Sequence, residues 1–277
     1  MNSEDVKSKL RRKLVKILVQ KDIADIFKSK NILLSMFFLP LSFAILFPTL
    51  MVGIPIMRGE IEISANIQFV VDIIPPLTDN WNILDAEQRY LIVLSFFPVI
   101  FLLMMPAILP SILASESVAG EKERNTLESL LATPLTDSEI LLGKILSSAI
   151  PSILVVWLSC IPYVLLIDYF VYEKLGFLLL PDLRFLILLG TVAPLLVFAS
   201  VTAMVWLSTR VKAARDAQQL SILIVLPLLT IVMVEIIGFM FSWLFLFIGI
   251  LALAFIDLIA YYLVKRSFNR EFLLSKI

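Results

Sequence analysis

The 277-residue sequence contains no histidine and one cysteine. Without histidine, the commonest general base and the commonest zinc ligand are both missing. Cys160 has no second thiol to meet, so no internal disulfide can form, and its place inside an apolar run suits a small buried hydrophobe. Charge is scarce as well: 17% of residues are charged, where soluble domains carry about a quarter. A phosphate-cradling ATP loop is also missing, since it needs Gly, four residues, then Gly-Lys and Ser or Thr. "GEKERNT" (120–126) lacks the second glycine, and in "SEILLGKI" (138–145) Ser138 and Ile145 occupy the places of the first glycine and the hydroxyl. With no histidine and no cluster of acids, an enzyme embedded in a membrane is the least favoured class. The basic first 31 residues exceed the short cationic lead of a secretory signal, and no small-residue cleavage site follows.

What is present in excess is apolar. Hydrophobic residues make up 60% of the chain, and the mean hydropathy is +0.98. A bilayer core of ~30 Å needs roughly 20 apolar residues of helix. Five blocks reach that length: 32–52, 91–114, 140–167, 185–208 and 220–264. At ~1.5 Å per residue the last is about twice too long for one crossing. It is expected to double back near Gly238–Trp243, where aromatic residues suit a membrane interface. The fold class is therefore an all-α polytopic membrane protein with six spans and both termini on one side. Residues 1–31 form an N-terminal helical segment and 32–277 the six-span domain, with polar loops at 115–139 and 53–90.

Lys and Arg are sorted by side. With the termini inside, 18 of them fall in inner segments and four (Arg58, Arg89, Lys174 and Arg184) in outer ones. By the positive-inside rule the termini and the loop 115–139 face the cytoplasm of a multi-pass protein of the cell membrane. Nine prolines sit within the spans, among them Pro48 and Pro194. Each removes a backbone donor and can kink its helix. The outer loop, with six acids against two bases, is too short for a core of its own and can form a small cap.

Residues 4–30 read as an amphipathic helix on the inner leaflet. Val6, Leu10, Leu14, Ile17 and Leu18 recur at helical spacing, with Lys7, Lys9, Arg11, Lys13 and Lys21 on the other faces. The segment either anchors the N-terminus inside or acts as a lever on the first span.

The most composed polar stretch is "GEKERNTLESLLATPLTDSEILLGK", Gly120 to Lys144. Asn125 with Glu128 and Thr136 with Glu139 each have the spacing of a capping box. Between them "TLESLLA" presents Leu127, Leu130 and Leu131 on one side, and Pro134 ends it. A short leucine-faced helix flanked by Glu121, Lys122, Glu123 and Arg124 either docks in a groove on another protein or packs on its own bundle.

This stretch resembles the loop between the second and third spans of ATP-binding-cassette type-2 transporter permeases, where the charge pattern, Thr-Leu-Glu, Leu-Leu, Thr-Pro and Gly-Lys occur in this order. The likeness covers about 30 residues. Family members more often have glycine at the position of Asn125, and asparagine also tolerates positive φ. The resemblance implies an exporter-like fold and an ATP-driven permease with a second permease copy, identical or related, two cytoplasmic ATPase subunits, and an interfacial connecting helix at residues 1–31. It implies that ATP and Mg²⁺ are held by the partner, with no cofactor or metal on this chain. It places Glu121, Glu123, Thr126, Leu127, Glu128, Leu130, Leu131, Thr133 and Pro134 in the ATPase-coupling region, with Gly143 and Lys144 at the return into the membrane. Membrane lipid is the remaining partner, and nucleic acid is not one.

Two acids, Glu235 and Asp257, fall in the last apolar block. Acids at membrane depth are costly and are functional candidates by default, so both are candidates for a transport pathway; the alternative is that Asp257 bonds a hydroxyl or cation of a neighbouring span and Glu235 reaches headgroup water. A self-sufficient secondary transporter or channel is the competing class. It would show intramembrane charge pairs or an inverted repeat, and neither stands out in the sequence.

Overall fold

Apolar chain without water to bond its backbone closes its hydrogen bonds within helices. The computed structural model describes residues 3–59, 65–78, 80–211 and 213–268 and is built there of helices and short connections, with no strand among them. Six helical stretches are long and apolar enough to cross a membrane: Ile32–Arg58, Ala86–Glu123, Asp137–Leu175, Leu183–Arg210, Ala214–Val234 and Trp243–Arg266. The expected doubling back of the last block is present. Helix α12 (Ile222–Phe241) ends before Ser242, whose extended backbone starts α13 (Trp243–Ser267) and whose Oγ accepts the Leu244 N–H.

The second span is the centre of the bundle, with 61% of its most apolar window buried, against 22% and 17% for the fifth and sixth. Leu251, Phe255 and Leu258 of α13 stay exposed, as a lipid-facing surface requires. Two apolar cores stack along the bundle. The larger includes Leu102, Tyr163, Phe185 and Leu196 and takes in Trp81 and Leu84 of the outer loop. That loop is thus a cap packed on the bundle, and it contains α4 (Ala65–Ile73). The smaller core lies at the basic end and joins Leu18, Leu127, Leu131, Ile140, Val201 and Val264.

Two prolines reshape their spans in the same way. After α2 (Lys30–Pro48) the first span widens into a π-helical turn, Thr49–Gly53, and Ile54 bonds back to the Thr49 carbonyl just before Pro55. The fourth span does the same after α9 (Leu183–Ile187): Leu188–Val192 is π-helical, and Ala193 bonds to the Leu188 carbonyl just before Pro194 and the rest of α10 (Ala193–Arg210). In this register the Leu189 carbonyl would need the N–H of residue 194, which proline lacks. The Trp157 indole N–H of the third span supplies it at 2.9 Å. A second interhelical bond marks the kink between α5 (Ala86–Phe96) and α6 (Val99–Glu123), where the buried Tyr163 hydroxyl donates to the Ser95 carbonyl at 2.6 Å. In the second and fourth spans, aromatic donors from the third span thus meet carbonyls at the irregular backbone.

At Gly53 the first and third spans approach so closely that a Cβ would lie 2.6 Å from the Phe170 ring. Gly53→Ala should therefore destabilise the protein by about 1–3 kcal/mol, the usual cost of overpacking. Thermal unfolding in detergent should show the loss, and Phe170→Leu in the same background should recover part of it.

Candidate functional site

The polar stretch between the second and third spans begins where α6 ends. Asn125 sits at φ 55, the Thr126 N–H bonds the Glu121 carbonyl at 2.9 Å, and the Asn125 N–H bonds the Lys122 carbonyl at 3.1 Å. This is a Schellman ending, which requires a residue tolerant of the left-handed region just past the cap. Asparagine fills the role that glycine usually takes. The capping box expected from Asn125 and Glu128 does not form: Thr126 stands at the N-cap of α7 (Leu127–Leu131), with no side-chain cap bond. Asn125 is committed to ending the previous helix instead. The second box does form. The Thr136 N–H donates to Glu139 Oε2 at 2.7 Å and the Glu139 N–H to Thr136 Oγ1 at 3.3 Å, opening α8 (Asp137–Leu175) directly into the third span.

The leucine side of α7 faces inward. Leu127, Leu130 and Leu131 are buried in the core at the basic end, together with Leu135. Of the two roles the sequence left open for this face, packing on the protein's own bundle is the one it fills in this structure. Three apolar side chains on five residues are worth more against Leu18 and Ile140 than in water. The outward side carries Glu123, Thr126, Glu128, Ser129 and Pro134, all exposed, with Thr133 half-buried.

Three elements meet beneath this segment around one cation. Lys144 on α8 is 2% exposed, and its Nζ lies 2.8 Å from Asp22 Oδ2 of α1 (Ser3–Lys28) and 2.8 Å from Glu121 Oε1 of α6. Lys21 reaches Glu121 from outside at 3.5 Å. A buried ammonium is tolerable only with such partners. One residue away, a Cβ on Gly143 would lie 2.8 Å from Leu18 Cδ2, so the small residue lets α1 lie directly on the third span. The end of α6 is tied sideways too. Lys122 Nζ donates to the carbonyls of Thr209 and Val211 at 2.8 and 3.2 Å, at the end of α10, and Glu123 Oε1 accepts from the Ala214 N–H at 3.1 Å, where α11 (Ala214–Leu220) starts.

The N-terminal helix packs one side on the bundle and leaves apolar and basic residues outward. Leu14 is half-buried and Leu18 and Val19 are buried against the bundle, whereas Leu10 and Ile17 are 56% and 50% exposed, and the basic residues Arg11, Arg12 and Lys13 face outward. Val6 has no described side chain. The sequence marks Lys21 only as part of a basic face, and it does not mark Asp22. The signal that could have found Asp22 is Lys144 itself, a lone cation inside "EILLGKILSS" that needs a carboxylate from elsewhere.

Of the two acids in the last block, Asp257 is 4% exposed, and neither carboxylate oxygen has a partner among the described residues. The hydroxyl or cation of the alternative reading is not found among the described residues. The Glu235 side chain lies outside the described residues.

A six-span helical bundle with a short helix braced between its second and third spans, and an N-terminal helix clasped beneath them, is a multi-pass membrane protein of transporter type. Residues 13–232 match the family model described as ABC-2 type transporter. The chain belongs to that family, and it corresponds to the membrane-spanning permease component rather than the ATPase. No curated protein matches the chain. The matched range runs from α1 into α12 and stops short of Asp257.

Removing the cation alone should be costly. Lys144→Met leaves Asp22 and Glu121 facing each other without a counter-charge and should destabilise the protein by about 3–5 kcal/mol. Adding Asp22→Asn and Glu121→Gln to Lys144→Met should restore much of the loss, read as the thermal midpoint in detergent.

Proposed function

We propose that this chain is the permease subunit of an ATP-driven exporter of the cell membrane. In this reading it assembles with a second permease copy, identical or related, and with two cytoplasmic ATPase subunits that bind ATP and Mg²⁺. Both termini and the segment 121–134 face the cytoplasm, as the sorting of Lys and Arg requires. The observation that carries the reading is the form of that segment. It offers a polar outward face on a helix too short to stand alone, and every joint behind that face is fixed: the Schellman turn, the Thr136–Glu139 box, the leucine core and the Lys144 ion pairs. A surface so braced passes displacement into the second and third spans rather than absorbing it. Because Asp22 shares Lys144 with Glu121, α1 moves with them as one input body. Outward transport rests on the resemblance to family exporters.

Asp257 is our candidate for the transport pathway, since a buried carboxylate without a partner at membrane depth is expensive to keep. Glu235 shares that candidacy only by its place in the fifth span. Asp257→Asn should lower transport at unchanged expression, and unchanged transport would remove Asp257 from the pathway.

The docking surface is tested by separating its two sides. Glu128→Lys on the outward face should reduce co-purification of the ATPase and ATP-dependent transport while leaving the permease's thermal midpoint unchanged. Leu130→Asp on the inward face should lower that midpoint. Full ATPase binding and transport in the Glu128→Lys protein would refute the outward face as the contact.

A further inference from the structure

Beneath the joint between α1 and the first span lies a cavity of about 240 Å³, bounded by α1, α6 and α8. On its wall Lys21, Asp25, Arg124, Glu121 and Ser117 supply polar lining, and Ile32 and Leu113 apolar lining. Ile32 opens the first span, and Leu113, Ser117 and Glu121 follow one another along α6 at one-turn spacing, so the apolar lining lies on the membrane side. Two polar atoms on this wall have no partner among the described residues: Glu121 Oε2, on a residue 8% exposed, and Ser117 Oγ. The other oxygen of Glu121 is already bonded to Lys144.

A buried carboxylate oxygen left over after its ion pair is made asks for a donor. A divalent metal fits poorly, because no group of three acids is placed to hold one among the described residues, and the Lys144 ammonium already sits between Asp22 and Glu121. An ammonium group fits, since it brings three donors and one charge. The apolar end between Ile32 and Leu113 adds a place for hydrocarbon, which a dissolved amine would not use. We propose that this cavity binds the headgroup of an aminophospholipid of the phosphatidylethanolamine type. Its ammonium donates to Glu121 Oε2 and Ser117 Oγ, and its phosphate and glycerol follow on the side of Ile32 and Leu113, where the acyl chains enter the membrane. Such a lipid would bridge α1 to the second span alongside the Lys144 ion pairs. The site depends on the membrane placement of the helices and not on the ATPase or the direction of transport.

The full-length protein in detergent is exposed to equimolar phosphatidylethanolamine, phosphatidylcholine and phosphatidylglycerol, and retained lipid is counted by native mass spectrometry. Phosphatidylethanolamine should exceed phosphatidylcholine by about tenfold, because a quaternary ammonium has no N–H to give a charged acceptor. Phosphatidylglycerol, which keeps the phosphate and lacks the ammonium, should be retained no better than phosphatidylcholine. Ser117→Leu fills the cavity without touching Asp22, Lys144 or Glu121 and should abolish the preference. If that variant does not fold, Ser117→Ala should reduce the preference about threefold, the loss of one ordinary hydrogen bond. Equal retention of the three lipids, or a preference that survives both Ser117 variants, would overturn the proposal. So would soluble glycerophosphoethanolamine binding in the cavity with no lipid retained, since the ligand would then be a free solute.

Discussion

One buried ammonium organises the basic end of this protein. Lys144 is buried where the third span begins, and a charge there persists only if carboxylates come to it. They come from two directions, Asp22 from the N-terminal helix and Glu121 from the end of the second span, each at 2.8 Å. The position of α1 follows from this demand. Gly143 then permits the close approach, because any Cβ there would meet Leu18. Asp22 and Glu121 would repel one another without the lysine, so the three elements are held together by the same charge that would be intolerable alone.

The polar loop inherits its rigidity from this arrangement. A five-residue helix has no stability of its own, and α7 exists because its leucines complete a core and its ends are fixed by backbone geometry. Lys122 and Glu123 extend the bracing to the link between the fourth and fifth spans through the end of α10 and the start of α11. Farther along the bundle the structure is looser. Two π-helical turns and a kink lie beside prolines, and carbonyls of the second turn and the kink are met by the side chains of Trp157 and Tyr163 rather than by a regular ladder. A stiff input end joined to irregular spans suits a protein that converts a local push into rearrangement within the membrane.

Much of the fold could be read from the sequence, because bilayer thickness is a hard constraint on apolar length. The six spans, the reversal at Ser242, and the Thr136–Glu139 helix start all follow from residue pattern. The roles of Asn125 and the α7 leucines did not, for different reasons. Asparagine three residues before Glu128 has the spacing of a helix start, but the same residue ends the preceding helix in a left-handed turn, and spacing does not distinguish the two. A leucine stripe shows that a face will be buried and not against what, so the choice between partner and bundle needed coordinates. The Lys144 ion pairs were invisible for a third reason: Asp22 lies 122 residues away, and nothing local in "VQKDIAD" marks it as a buried partner.

The account stands or falls on whether α1 and the segment 121–134 move as one body. With the buried Cys160 replaced by serine, spin labels at Lys13→Cys and Ser129→Cys, and a third site at Leu251→Cys, allow distances to be measured pairwise in the assembled transporter with and without ATP. The prediction is an unchanged distance between positions 13 and 129 while both shift relative to position 251. A nucleotide-dependent change between 13 and 129, at constant distance from 129 to 251, would contradict it.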